Sequence, residues 1–168
     1  MPTPAPIPPP RLALPAVLFA CLLLLAGCAE EVAEHRRYVP RDAFSIGMAG
    51  DYRSQGVDER FRGARGVFIV TFGDMVVALS SACPVDGHDL YFDPMPQQFR
   101  CPHCAARFDS NGLPRAPDSQ KRGMPRLRIE PVDKAAVGDA VELRINPRFR
   151  FLFEHNDWSQ PFSMHVLE

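Results

Sequence analysis

Lysine is almost missing from this 168-residue chain. Lys121 and Lys134 stand beside seventeen arginines, and the basic residues balance the acidic ones to a formal charge of −1. No stripe of positive charge results, so the electrostatic footprint of a nucleic-acid binder is lacking. Helical patterning is lacking too. No segment of twelve or more residues carries a persuasive helical stripe, and eighteen prolines, several of them mid-chain, remove amide donors that a helix needs. Helical bundles and the βαβ unit of a thioredoxin fold are thereby disfavoured. A catalytic constellation is also missing. Asp86, Asp109, Asp118, Arg107 and Arg115 are scattered on loop-like sequence, with no nucleophile and base at suggestive spacing.

One long apolar run is present, Leu12 to Ala26, with Arg11 just before it. Fifteen residues is the size of a signal-peptide core and short for a membrane span. The run ends in Leu25-Ala26-Gly27-Cys28, which looks like a bacterial lipobox. Residues 1–27 are therefore expected to be a signal peptide, with lipid attached to the sulfur of Cys28. The uncharged, proline-rich stretch Pro2 to Pro10 departs from the basic region expected there, and an uncleaved anchor containing Cys21 and Cys28 is the alternative. Either way the chain is expected to be exported and held at the bacterial cell membrane, facing the extracytoplasmic side. Residues 28–46, polar and without periodicity, read as a tether.

The remaining length, about 140 residues, fits one domain. Its signals are strand-like. Val67 to Phe72 is β-branched and aromatic, Gly73-Asp74 is a two-residue turn, and Met75 to Leu79 follows, which predicts a hairpin. Arg126 to Val132 and Ala140 to Ile145 alternate with period two, and Arg148 to Phe153 alternates in part. An all-β domain over 47–146 is expected, with a loop-rich insertion at residues 83–125 and an aromatic strand or tail over 147–168. The tail aromatics Phe149, Phe151, Phe153, Trp158 and Phe162 fit a closing strand better than a docking surface, because aromatics are ordinary strand residues.

With Cys21 removed and Cys28 lipidated, Cys83, Cys101 and Cys104 are the free thiols. Three thiols cannot all pair within one chain, and an oxidising compartment does not leave them idle. Metal ligation uses all three, because thiolate is a soft ligand that selects zinc or iron–sulfur chemistry. His88 and His103 lie close by in sequence. Cys101-Pro102-His103-Cys104 also matches a redox-active dithiol, which makes a thiol–disulfide oxidoreductase using Cys101 and Cys104 a further reading. The sequence after it, Ala105 to Pro114, has barely one turn of room for the helix that would lower a thiol pKa.

With their flanks, the two loops read Ser80-Ser81-Ala82-Cys83-Pro84-Val85-Asp86-Gly87-His88-Asp89-Leu90 and Phe99-Arg100-Cys101-Pro102-His103-Cys104-Ala105-Ala106-Arg107-Phe108-Asp109. Together with Gly50-Asp51-Tyr52, Gly56-Val57 and Arg65 to Val70, they resemble the Rieske 2Fe–2S domain family over about residues 47–132. The resemblance implies a Rieske-like antiparallel β sandwich or barrel with a loop-rich metal-binding tip. Cys83 and Cys101 match the family's two cysteine ligands. Val85 stands at the first histidine position and Cys104 at the second, while His88 and His103 occupy the positions of the respiratory members' inter-loop disulfide. The implied ligand set is Cys83, Cys101 and Cys104, with His88 as the fourth and His103 as its alternative. Such a set suits a 2Fe–2S cluster or zinc. The leading expectation is a membrane-tethered electron carrier serving a redox partner protein or respiratory complex. A potential lower than that of a two-histidine centre would follow from the extra thiolate. The alternative is a Rieske-fold module without a cluster, binding zinc or no metal and acting as a structural or interaction subunit.

Overall fold

The structure is a computed structural model and describes residues 42–115, 121–133 and 135–167, all within the compact unit Arg37–Glu168. The predicted signal peptide, Cys28 and most of the predicted tether lie outside the described residues. Ten strands follow in order: β1 (Phe44–Met48), β2 (Gly56–Asp58), β3 (Val67–Phe72), β4 (Met75–Ser80), β5 (Tyr91–Asp93), β6 (Gln98–Arg100), β7 (Arg107–Asp109), β8 (Arg126–Pro131), β9 (Glu142–Phe151) and β10 (His165–Val166). Among the described residues the α-helix is confined to one turn, Arg62–Arg65. The all-β expectation is met.

Two antiparallel sheets make the body. The larger is a curled, seven-stranded half-barrel in the order β1-β9-β8-β4-β3-β2, with β10 pairing β4 beyond the reach of β8. The smaller is β5-β6-β7. The predicted hairpin is β3 and β4, paired from Val67 opposite Ser80 to Phe72 opposite Met75. Apart from Thr71 and Ser80 its strand residues are apolar, because both faces are covered. Val67, Ile69, Val76 and Ala78 point into one core with Ile129, Leu143 and Ile145. Phe68, Val70, Val77 and Leu79 point into a second core with Leu90, Phe99, Phe108 and Met124. That second core joins the small sheet to the large one.

Three boundaries differ from the sequence reading. Phe44 and Ile46 are buried and pair through β1 with β9, so the folded body starts inside the segment read as tether. The insertion at 83–125 contains the small sheet, whose strands are only three residues each and therefore carry almost no periodic signal. The segments at 140–145 and 148–153 merge largely into the single strand β9. Pro147 is tolerated there because the register against β8 shifts between Leu127 and Arg128, and a proline at a bulge interrupts no ladder bond.

The aromatic tail folds back onto the sheet. The Trp158 ring lies 4.1 Å from the buried Arg126 guanidinium, and its indole Nε1 donates to the Phe151 carbonyl at 3.2 Å. The Phe162 ring lies 4.5 Å from the Arg128 guanidinium. β10 pairs with β4, but it contains none of the tail aromatics, and Phe149, Phe153 and Phe162 stay partly exposed.

Candidate metal centre

Two loops meet at one end of the second core. The first leaves β4 and runs Cys83-Pro84-Val85-Asp86-Gly87-His88. The second joins β6 to β7 and runs Cys101-Pro102-His103-Cys104-Ala105-Ala106. Their backbones repeat one turn. The amide of the opening cysteine donates to the carbonyl five residues on in both, Cys83 to His88 at 2.7 Å and Cys101 to Ala106 at 2.9 Å. A proline follows each cysteine and restricts φ. The fifth residue is left-handed in both, Gly87 at φ +79° and Ala105 at φ +59°. The base of the first loop is tied by Leu90 N donating to Ser81 O at 2.7 Å and Ser81 Oγ donating to Asp89 at 2.6 Å.

The repeat sets Asp86 opposite Cys104, each three residues after its cysteine. Cys83, Asp86, Cys101 and Cys104 present ligand atoms that all lie within 4.8 Å of one another, a group able to hold a metal ion. The three cysteines are free thiols, Cys83 and Cys101 buried and Cys104 partly so. Cys83 Sγ is 3.7 Å from Cys104 Sγ. Cys101 Sγ lies 3.5 Å and 3.6 Å from the two carboxylate oxygens of Asp86. The three predicted sulfur ligands are thus brought together, and the fourth donor beside them is a carboxylate. His88 and His103 instead form a second group with Asp86. Their rings stack at 4.0 Å and 13°, and their Nδ1 atoms lie 3.3 Å and 3.0 Å from Asp86 Oδ2.

Electrostatics separate the donors. Burial pushes the Cys83 thiol up, against amides of Val85 and Asp86 that favour its thiolate. Burial also raises Cys104. Burial acts on Asp86 in the same direction, but the His88 amide and the His103 imidazole outweigh it, holding the carboxyl well below the ordinary carboxylate range. Asp86 is thus a fixed negative charge in a group where burial keeps the Cys83 and Cys104 thiols protonated. A cation bound among them would favour the thiolates and displace their protons.

This set could hold a metal ion. The residues after Cys104 form β7, so no helix dipole activates the pair Cys101 and Cys104 as a dithiol. Val85, 38% exposed, offers no donor at the first loop's second position after cysteine. In the sequence Asp86 is one of several loop acids, with Asp89 three residues on, and carries no ligand spacing of its own. The signal that finds it is internal: overlaying Cys83-Pro84-Val85-Asp86-Gly87 on Cys101-Pro102-His103-Cys104-Ala105 puts it at the ligand position. No family model matches the chain, and neither does any curated protein or solved structure compared with it.

Proposed function

We propose that this protein is a structural and interaction module whose loop tip is fastened by one tetrahedral metal ion, zinc by ligand chemistry, held by Cys83, Asp86, Cys101 and Cys104. The observation that carries this reading is the spacing of the donors. Sulfurs about 2.3 Å from one tetrahedral ion lie about 3.8 Å apart, and a sulfur and a carboxylate oxygen about 3.5 Å apart. The Cys83–Cys104 separation of 3.7 Å and the Cys101–Asp86 separations of 3.5 and 3.6 Å correspond to those edges. A two-iron cluster spreads its ligand pairs across two metal atoms, a wider arrangement than one in which every pair lies within 4.8 Å. Three thiolates and a carboxylate close a zinc site with no position left for chemistry, the pattern of structural sites.

Such an ion supplies cross-linking. One loop belongs to the large sheet and the other to the small sheet, so its binding energy is folding energy for the joint between them. In this reading the Rieske-like frame is kept and the electron-carrier role is not. The domain is carried outside the cell membrane on lipid at Cys28, where its partner is another exported or membrane protein.

Elemental analysis and a visible spectrum of the protein purified without oxygen test the reading. The expected protein is colourless and holds zinc in amounts equal to the chain. Broad visible bands with iron and acid-labile sulfide at about two each per chain would return it to the electron carriers.

A further inference from the structure

We infer that the loop tip is also a site of reversible covalent modification, at which an external disulfide oxidises Cys83 and Cys104 to a bridge between the two loops. Their sulfurs come from different loops and from residues 21 apart in the chain, yet they stand 3.7 Å from each other. A disulfide bond is about 2.05 Å long, so the sulfurs must close by about 1.7 Å, within what turning a side chain about its Cα–Cβ bond supplies. The main chain fixes Cys83, whose amide donates to His88 O at 2.7 Å and whose carbonyl accepts from Gly87 N at 2.9 Å. Cys104 is the more yielding partner, partly exposed and followed by the left-handed Ala105. Cys101 differs from both, because its S–H donates to the Asp86 carboxylate at 3.5 Å and 3.6 Å. That contact makes it the thiol left over when the other two pair.

The step exchanges one disulfide for another. Cys104, the more accessible of the two thiols, attacks one sulfur of the oxidant, a small-molecule or protein disulfide, and its proton leaves on the released thiol. Cys83 then attacks the Cys104 sulfur of this mixed disulfide, and a second thiol departs with the Cys83 proton. The chain loses two electrons and two protons, and the oxidant gains both as two thiols. The bridge and a metal ion are exclusive uses of the same sulfurs. A bridged sulfur is no longer a thiolate, so oxidation leaves only Cys101 and Asp86 of the four donors, too few to close a tetrahedral site. Either cross-link ties the loop after β4 to the loop between β6 and β7, so the tip passes from one fastening to another instead of falling open. The bridge itself rests on the sulfur contact alone, and its exchange with metal rests on the reading proposed above.

The full chain, reduced in detergent and stripped of metal by a chelator, is exposed to oxidised glutathione as the probe. Its bridges are located by digestion without reduction and mass spectrometry. The main product expected is a peptide pair joined through Cys83 and Cys104 and released by a reducing dithiol. It is kept in Cys101→Ser and lost in Cys83→Ser and in Cys104→Ser. The wild-type chain oxidised in urea is the control for folding, because there the shorter loop between Cys101 and Cys104 closes more readily. The folded chain is expected to reverse that preference. A folded chain whose main bridge joins Cys101 to Cys104, or that yields only glutathione adducts, would overturn the inference. Zinc separates the two proposals: saturating zinc should slow formation of the bridge, and the bridged chain should take up none. A chain that forms the bridge and never binds zinc keeps this inference and drops the metal ion. A chain that binds zinc and forms no bridge once stripped of it keeps the ion and drops this inference.

Discussion

Gly87 and Ala105 occupy the same left-handed place in two copies of one turn, at φ +79° and +59°, each four residues after the cysteine that opens its loop. A Cβ built on Gly87 meets nothing within 4 Å, so alanine there adds backbone strain without a clash. Ala105 already bears that strain. Gly87→Ala should therefore destabilise the fold by about 1 kcal/mol, and Ala105→Gly should stabilise it by up to about 1 kcal/mol. Urea denaturation of the two variants checks the opposed signs.

Removing the metal should loosen the tip. A chelator is expected to lower the melting temperature of the wild-type chain and to have no further effect on Cys83→Ser or Cys101→Ser. Asp86→Cys, which completes a four-sulfur set, should bind zinc more tightly than wild type in a competition with a coloured chelator. Weaker binding by Asp86→Cys would remove Asp86 from the ligand set.

Zinc affinity should depend on pH in a set direction. Burial holds the Cys83 and Cys104 thiols above their ordinary value of 9.0, so both carry protons at neutral pH and must lose them to ligate. Protons therefore compete with the ion, and affinity rises with pH by about tenfold per unit for each proton displaced. Calorimetric titrations in buffers of different ionisation enthalpy count those protons.

Glu130 gives the large sheet its own acid sensitivity. Its carboxylate accepts from Arg128 Nε at 2.8 Å and from Arg144 Nη2 at 3.0 Å. Burial pushes its pKa up, but bonds from Arg144 and then Arg128 outweigh this and hold it below 4.5. A depressed carboxyl stabilises the fold above its unfolded pKa, and that contribution is lost as pH falls through the folded value. Glu130→Gln should cost about 1 kcal/mol at pH 7 and nothing below the folded pKa, as read by denaturation at both pH values.

Phe99 is fully buried between Phe68 at 4.8 Å and Phe92 at 5.1 Å, where the small sheet meets the hairpin. Phe99→Ala should destabilise by about 3–5 kcal/mol. Hydrogen exchange is expected to show faster opening in β5 to β7 than in β8 and β9.

The long strands were legible because each offers enough residues to carry a signal, a period of two at Arg126 to Val132 and β-branched and aromatic runs about a turn at Val67 to Leu79. The small sheet was not legible, since Tyr91–Asp93, Gln98–Arg100 and Arg107–Asp109 are too short to alternate. The strand through Pro147 was hidden by a residue that usually ends strands and here sits at a register shift. At the site, the cysteines announced themselves by chemistry alone. Asp86 did not, because a lone loop aspartate is common and only the repeated backbone turn gives it a counterpart in Cys104.

Leu79 near the end of β4 and Arg126 at the start of β8 sit directly opposite each other, so the chain leaves the large sheet and rejoins it across a single interstrand gap. The described residues between them, 80–115 and 121–125, form a cassette closed at its own base. Its sequence can be lengthened, trimmed or exchanged without re-threading the half-barrel, provided its underside still caps Phe68, Val70, Val77 and Leu79. The ligand-bearing tip is thereby the most replaceable part of the architecture, and new donor sets can be tried there while the body that carries them stays the same.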